Sequence, residues 1–197
     1  MTVQRKRLGL LVPSSNTSME YEFARYMPRG VTLYISRMPI APEVTESSLI
    51  AMSAASVDYA RLLADCRADI ILYGCTSGSF IKGKGFDTRI AQDIQQATGI
   101  PAISTSHCVL EALSHVGAKK LAVYTPYIDE VNRRARTFLQ DNGFEVTALY
   151  GMGLLDNLDI GRVEPGDVLK MVLDHDRCGA QAVFISCTNL RTIEIIA

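Results

Sequence analysis

The stretch KKLAVYTP at residues 119–126 decides the fold, because it repeats KRLGLLVP at residues 6–13 with an offset of 113. A basic pair, an apolar run and a closing proline coincide in the two copies. Outward from this pair, Gly143-Phe144 falls on Gly30-Val31 at the same offset. AQAVFISCTN at 180–189 falls on ADIILYGCTS at 68–77, one residue closer at 112. Cys187 thereby matches Cys75, and Cys178 matches Cys66. Landmarks that recur in one order within one residue of a common offset describe two copies of one structural unit.

Each copy alternates short aliphatic runs with helical patterns. Strands are expected at 8–12, 31–36, 70–73, 102–104, 121–124, 145–149 and 183–186, several of them apolar throughout, as suits parallel strands covered on both faces. Helices are expected at 48–67, at 87–98 ending on Gly99, at 108–116 ending on Gly117, at 129–142 ending on Gly143, and at 165–174 with Pro165 in the first turn. The fold class is therefore α/β with parallel sheets. Two like domains are expected, 1–117 and 118–197, with four strands in the first. Residue 197 corresponds to residue 84 of the first copy, so the second copy lacks counterparts of 85–118. Its sheet should end one strand short, and 192–197 should begin a helix.

The composition limits the partners. Among 197 residues, 48% are hydrophobic and 21% charged, the balance of an ordinary globular protein. Twenty basic and twenty-one acidic side chains leave a net charge of −1, with no basic excess to neutralise a phosphate backbone, so nucleic acid is not expected. The apolar run at 8–12 is too short for a signal-peptide core, and no run approaches the roughly 18 residues of a membrane span. Five cysteines, odd in number and without C-x-x-C or a metal-ligand spacing, point to a reduced, cytoplasmic protein without metal.

Ligands of parallel α/β units gather beyond the carboxyl ends of the strands, where helix N-termini present free N–H groups. Four motifs fall there: VPSSNT at 12–17, GCTSGS at 74–79, TPY at 125–127 and SCTN at 186–189. A cysteine between a strand end and a helix start lies in the positive end of a helix dipole, which lowers a thiol's pKa. Two like domains facing each other about a pseudo-twofold axis would bring Cys75 and Cys187 into one cleft from opposite sides. Opposed thiols could then act on the two faces of one small substrate. Ser14, Ser15, Asn16, Thr76, Ser77, Tyr127, Thr188 and Asn189 supply neutral donors that can hold carboxylates or cap helices. Cys66, Cys178 and Cys108 are expected to be buried packing residues, and His115 and His175 to be solvated. Gly83-Lys84-Gly85 lacks the following residues of a nucleotide site and reads as a loop.

With VPSSNT, GCTSGS, TPYIDEVN and SCTNLRT the chain resembles the aspartate/glutamate racemase superfamily, and within it the maleate cis-trans isomerases and arylmalonate decarboxylases. The resemblance covers the whole chain. It implies two Rossmann-like domains with the active site between them, no cofactor, and a homodimer. By motif, it implies that Cys75 adds to the double bond of a dicarboxylate, that Cys187 lies opposite, and that Asn16, Tyr127 and Asn157 hold the carboxylates, with Thr76, Ser77 and Thr188 beside them. Arylmalonate decarboxylases carry no cysteine where Cys75 stands, so the two thiols favour cis-trans isomerisation of maleate or a close cis-dicarboxylate. A two-cysteine amino-acid racemase and a silent dicarboxylate-binding protein are the alternatives.

Overall fold

A computed structural model describes residues 5–196. Four parallel strands, β1 (Lys6–Pro13), β2 (Val31–Met38), β3 (Ile70–Tyr73) and β4 (Ala102–Ser104), form a first sheet in the order β2-β1-β3-β4. Three more, β5 (Lys120–Thr125), β6 (Glu145–Gly151) and β7 (Ala182–Ile185), form a second parallel sheet in the order β6-β5-β7. That is the order of β2, β1 and β3 in the first. Leu10, Leu11 and Val12 of β1, and Leu121 to Tyr124 of β5, are fully buried, so both central strands are covered on both faces. Among the described residues the second sheet has three strands against four, as the repeat implied.

Helices fill the crossovers: α1 (Met19–Tyr26), α2 (Glu46–Ala54), α3 (Ser56–Asp65), α4 (Thr76–Phe80), α5 (Phe86–Thr98), α6 (Thr105–His115), α7 (Asp129–Asp141), α8 (Asn157–Arg162) and α9 (Pro165–Asp174). The single helix expected at 48–67 is two helices that part at Ala55. Ser53 supplies a reason. Its hydroxyl is bonded to the Leu49 carbonyl one turn back, a bond that bends helices, and it also reaches the Tyr73 hydroxyl and the Gly78 carbonyl. Three short helices, α1, α4 and α8, had no apolar period long enough to announce them. The expected helix at 192–197 is a single 3-10 turn, Ile193–Ile195, and Ala197 lies outside the described residues.

Three cysteines depart from expectation. Cys178 and Cys108 are exposed, and Cys66 is only half-buried. Cys66 caps the end of α3, and Cys178 stands in a surface turn with φ of 49°, so both lie where the chain turns at the surface before re-entering a sheet. Helix α6 buries Ser106 and Leu113, seven residues apart on one face; Cys108, two residues on from Ser106, is rotated about 200° away. His115 and His175 are exposed as expected.

The two units share a core. Phe80 of α4 packs edge-on to Tyr127 at 6.3 Å between ring centres and against Phe138 of α7 at 6.0 Å. At the surface Arg134 of α7 forms a two-pronged ion pair with Glu46 of α2, at 2.9 and 2.6 Å. The loop after β2 reaches across as well. Val44 N–H donates to the Leu155 carbonyl at 2.7 Å and Asn157 N–H to the Pro42 carbonyl at 3.0 Å. These contacts bring the carboxyl ends of both sheets together.

Candidate active site

The turn after β1 is shaped by Asn16. Its side-chain oxygen accepts from the N–H groups of Ser18 and Met19 at 3.1 and 3.0 Å, closing a turn at the entry to α1, while its amide nitrogen faces the Thr188 hydroxyl at 3.4 Å. Arg37, from the neighbouring strand, holds the carbonyls of Ser14 and Asn16 at 2.8 and 3.1 Å. At the end of β3, Cys75 is the cap of α4: its sulfur accepts from Gly78 N–H at 3.3 Å and stands 3.7 Å from the Ser77 hydroxyl. Gly78 is required there, since a Cβ would come within 2.5 Å of the Tyr73 hydroxyl and 3.2 Å of the Cys75 sulfur.

In the second unit, Tyr127 follows β5. Its N–H donates to the Thr125 hydroxyl at 3.1 Å, its carbonyl accepts from Asn132 at 2.9 Å, and its hydroxyl lies 3.4 Å from that of Ser186. Cys187 follows β7 and holds a φ of 135°, a region that side chains rarely adopt; its counterpart Cys75 is extended at −143°. Strain of this kind collects at functional positions. Asn189 N–H donates to the Cys187 sulfur at 3.3 Å.

One cavity is lined by Asn16, Cys75, Thr76, Ser77, Tyr127, Asn157, Cys187, Thr188 and Asn189, whereas Ser14 and Ser15, also singled out by the sequence, are not part of its lining. It contains about 300 Å³ of non-atom space but leaves only about 10 Å³ for the centre of a water-sized molecule, room for roughly one water. A larger cavity of about 280 Å³ on that second measure adjoins it past Thr76, Cys187 and Thr188, with Leu72, Phe184 and Cys108 in its walls. The smaller one holds the converging polar groups. Sequence reasoning missed its apolar wall, Ile40, Val44 and Leu49. The available signal was that the loop at 39–45 follows the carboxyl end of a strand, like the other four motifs.

Among the described residues no charged side chain lines this cavity, and the thiols respond to that. The expected lowering of their pKa values is overturned. Burial pushes Cys75 up, against the opposing hydrogen bonds from Gly78 and Ser77. Cys187 is pushed up to about 12, by burial above all, with the charge of Cys75 adding to it and the hydrogen bonds from Asn189 and Tyr127 opposing. Helix α4 has five residues, too short a dipole to offset desolvation, and no cation among the described residues lines the cavity to compensate. Burial likewise holds Tyr127 well above the usual phenol range, so its hydroxyl keeps its proton at neutral pH.

Fold and site together define an α/β enzyme with paired cysteines at equivalent strand ends. The arylmalonate decarboxylase family model matches residues 8–197, and the chain belongs to that family. It is similar to the maleate isomerase of Alcaligenes faecalis, 31% identical over 96% of this chain and 80% of the relative. A maleate isomerase of Pseudomonas putida is 30% identical over 98% of this chain and 82% of its own length. Among solved structures, the fold matches a cysteine-to-serine mutant of Nocardia farcinica maleate cis-trans isomerase with a covalently bound succinylcysteine intermediate. That match has a TM-score of 0.90 at 22% identity, over 97% of this chain and 82% of the other.

Proposed function

We propose that this chain isomerises maleate, or a close cis-dicarboxylate, to the trans form without a cofactor. The observation that carries the reading is that Cys75 and Cys187, from matching strand ends, line one cavity with the amides of Asn16 and Asn157 and the Tyr127 hydroxyl. The Cys75 thiolate adds to one alkene carbon, forming a C–S bond, and the π pair moves onto the neighbouring carboxylate as an enolate. The former double bond, now single, rotates; the electron pair returns, the C–S bond breaks and the thiolate leaves. Neutral donors at fixed positions stabilise the enolate as charge develops.

Cys187, pushed up to about 12, keeps its proton and suits donation to the carbanion carbon, while Cys75, whose sulfur accepts from Gly78 N–H and stands beside the Ser77 hydroxyl, is the nucleophile. Protonation by Cys187 would give a succinyl adduct on Cys75, from which the Cys187 thiolate takes the proton back before the C–S bond breaks; the Nocardia relative's succinylcysteine supports such an adduct. The cavity as it stands has room for about one water, so a dicarboxylate enters only if its walls move apart.

The same reading carries three further proposals. The units 1–117 and 118–197 are domains related by rotation near 180°, for which the shared strand order is the support. The protein is a homodimer, which sedimentation at several concentrations tests. It works in a reducing, cytoplasmic setting, in keeping with five free cysteines; no helix among the described residues is long and apolar enough to cross a membrane.

Turnover of the two cysteine variants in deuterated water tests the mechanism. Cys75→Ser should lose essentially all conversion of maleate to fumarate, since an alkoxide is almost absent at neutral pH, and Cys187→Ser should retain more. Equal, complete loss in both, with deuterium entering the α-carbon of aspartate or glutamate incubated with the parent chain, would instead make the protein a racemase. A chain that binds maleate and converts nothing would be a binding protein.

A further inference from the structure

Asn189 is 1% exposed and joins three parts of the site. Its side-chain oxygen accepts from Thr17 N–H at 2.8 Å, its carbonyl accepts from the Ser18 hydroxyl at 2.8 Å, and its NH2 group donates to the Asn157 carbonyl at 2.7 Å and side-chain oxygen at 3.2 Å. These partners leave its amide one orientation. A backbone N–H can only donate, so the Asn189 oxygen must face Thr17; a backbone carbonyl can only accept, so the Asn189 NH2 must face Asn157. The orientation then passes on. The Asn157 oxygen must face that NH2, and its own NH2 is turned to the first unit, where it donates to the Ser15 hydroxyl at 2.7 Å. Gly161 permits the close approach, because a Cβ there would collide with the Thr17 hydroxyl and stand 3.2 Å from the Asn189 nitrogen.

We infer that Asn189 is a positioning residue that locks the Asn157 amide with its NH2 group outward as a donor for a substrate carboxylate. This rests on the reading of the cavity as a dicarboxylate site. Without the lock, the Asn157 amide can rotate and offer an oxygen to the carboxylate, which repels it. Asn189→Asp preserves the shape and the acceptor for Thr17 but sets a carboxylate against two oxygens of Asn157.

The test follows the side-chain NH2 protons of Asn157 by nitrogen-15 NMR hydrogen exchange without substrate, and the kinetics with maleate. Asn189→Asp is expected to speed that exchange by about tenfold or more. The uncharged Asn189→Ser, which keeps an acceptor for Thr17 but has no NH2 for Asn157, should raise KM for maleate by about tenfold while kcat changes by less than about threefold, the pattern of lost binding rather than lost chemistry. Unchanged exchange, or a loss carried by kcat with KM intact, overturns the inference. If Asn189→Asp does not fold, Asn189→Ser serves for the exchange measurement as well, and the same criteria apply. If the parent chain fails to convert maleate, the functional reading falls, and the exchange measurement still decides whether Asn189 holds Asn157.

Discussion

Replacing Gly78 by alanine tests how tightly the nucleophile's surroundings are built. The added Cβ would stand 2.5 Å from the Tyr73 hydroxyl, 2.9 Å from the terminal methyl of Met52 and 3.2 Å from the Cys75 sulfur. Met52 can yield. Tyr73 cannot move cheaply, since its ring is fully buried and its hydroxyl lies 2.8 Å from that of Ser53. Overpacking a dense core by one methyl costs about 1–3 kcal/mol, and a disturbed Tyr73–Ser53 hydrogen bond adds about 1 kcal/mol, so the expected loss is about 2–4 kcal/mol. For a chain of this length that lowers Tm by on the order of 5–15 °C. The displaced Gly78 N–H would also withdraw from the Cys75 sulfur, leaving the thiol still less ionised and slower to alkylate. Urea unfolding and iodoacetamide labelling with peptide mapping measure both effects. A variant within about 0.5 kcal/mol of the parent, labelled at the same rate, would refute the reasoning.

Because burial raises the Cys75 thiol, its alkylation rate should still be climbing between pH 8 and 9, where an ordinary thiol begins to level off; a rate already level by pH 9 would contradict it. Asn16→Ala should cost about 1 kcal/mol or more through loss of the hydrogen bonds to the Ser18 and Met19 N–H groups. Asn16→Asp should keep that stability, since a carboxylate accepts the same two N–H groups, yet bind maleate far more weakly through charge repulsion. Equal destabilisation in both variants, read by urea unfolding, would remove the role of the Asn16 oxygen in the turn.

The strands were legible because consecutive buried residues leave an unbroken apolar run, and the boundaries at 70–73 and 102–104 coincide with those of β3 and β4. Helices with a glycine stop, such as α5 before Gly99, were legible for the same local reason. The break at Ala55 was not, because the hydroxyl that bends the chain at Ser53 is engaged by Tyr73 and Gly78, twenty and twenty-five residues away. The outward turn of Cys108 was implicit in the helical period, but which face is buried depends on what packs there.

At the site, the repeat alone carried Cys75 and Cys187 to equivalent strand ends, since a local pattern of strand, cysteine and polar turn needs no tertiary knowledge. Their acidity was decided by tertiary structure. A helix dipole can be read from sequence, whereas desolvation depends on what closes over the sulfur, here residues from both units and from the loop at 39–45. The positive φ of Cys187 and the bonds from Asn189 to Thr17, 172 residues away, and to Asn157 belong to the same category. Sequence by itself determined which groups stand at the ends of the strands, because strand and turn signals are local. Only the packing of one unit on the other determined how those groups face, what they donate to and how readily they ionise, because each of these depends on neighbours distant in the chain.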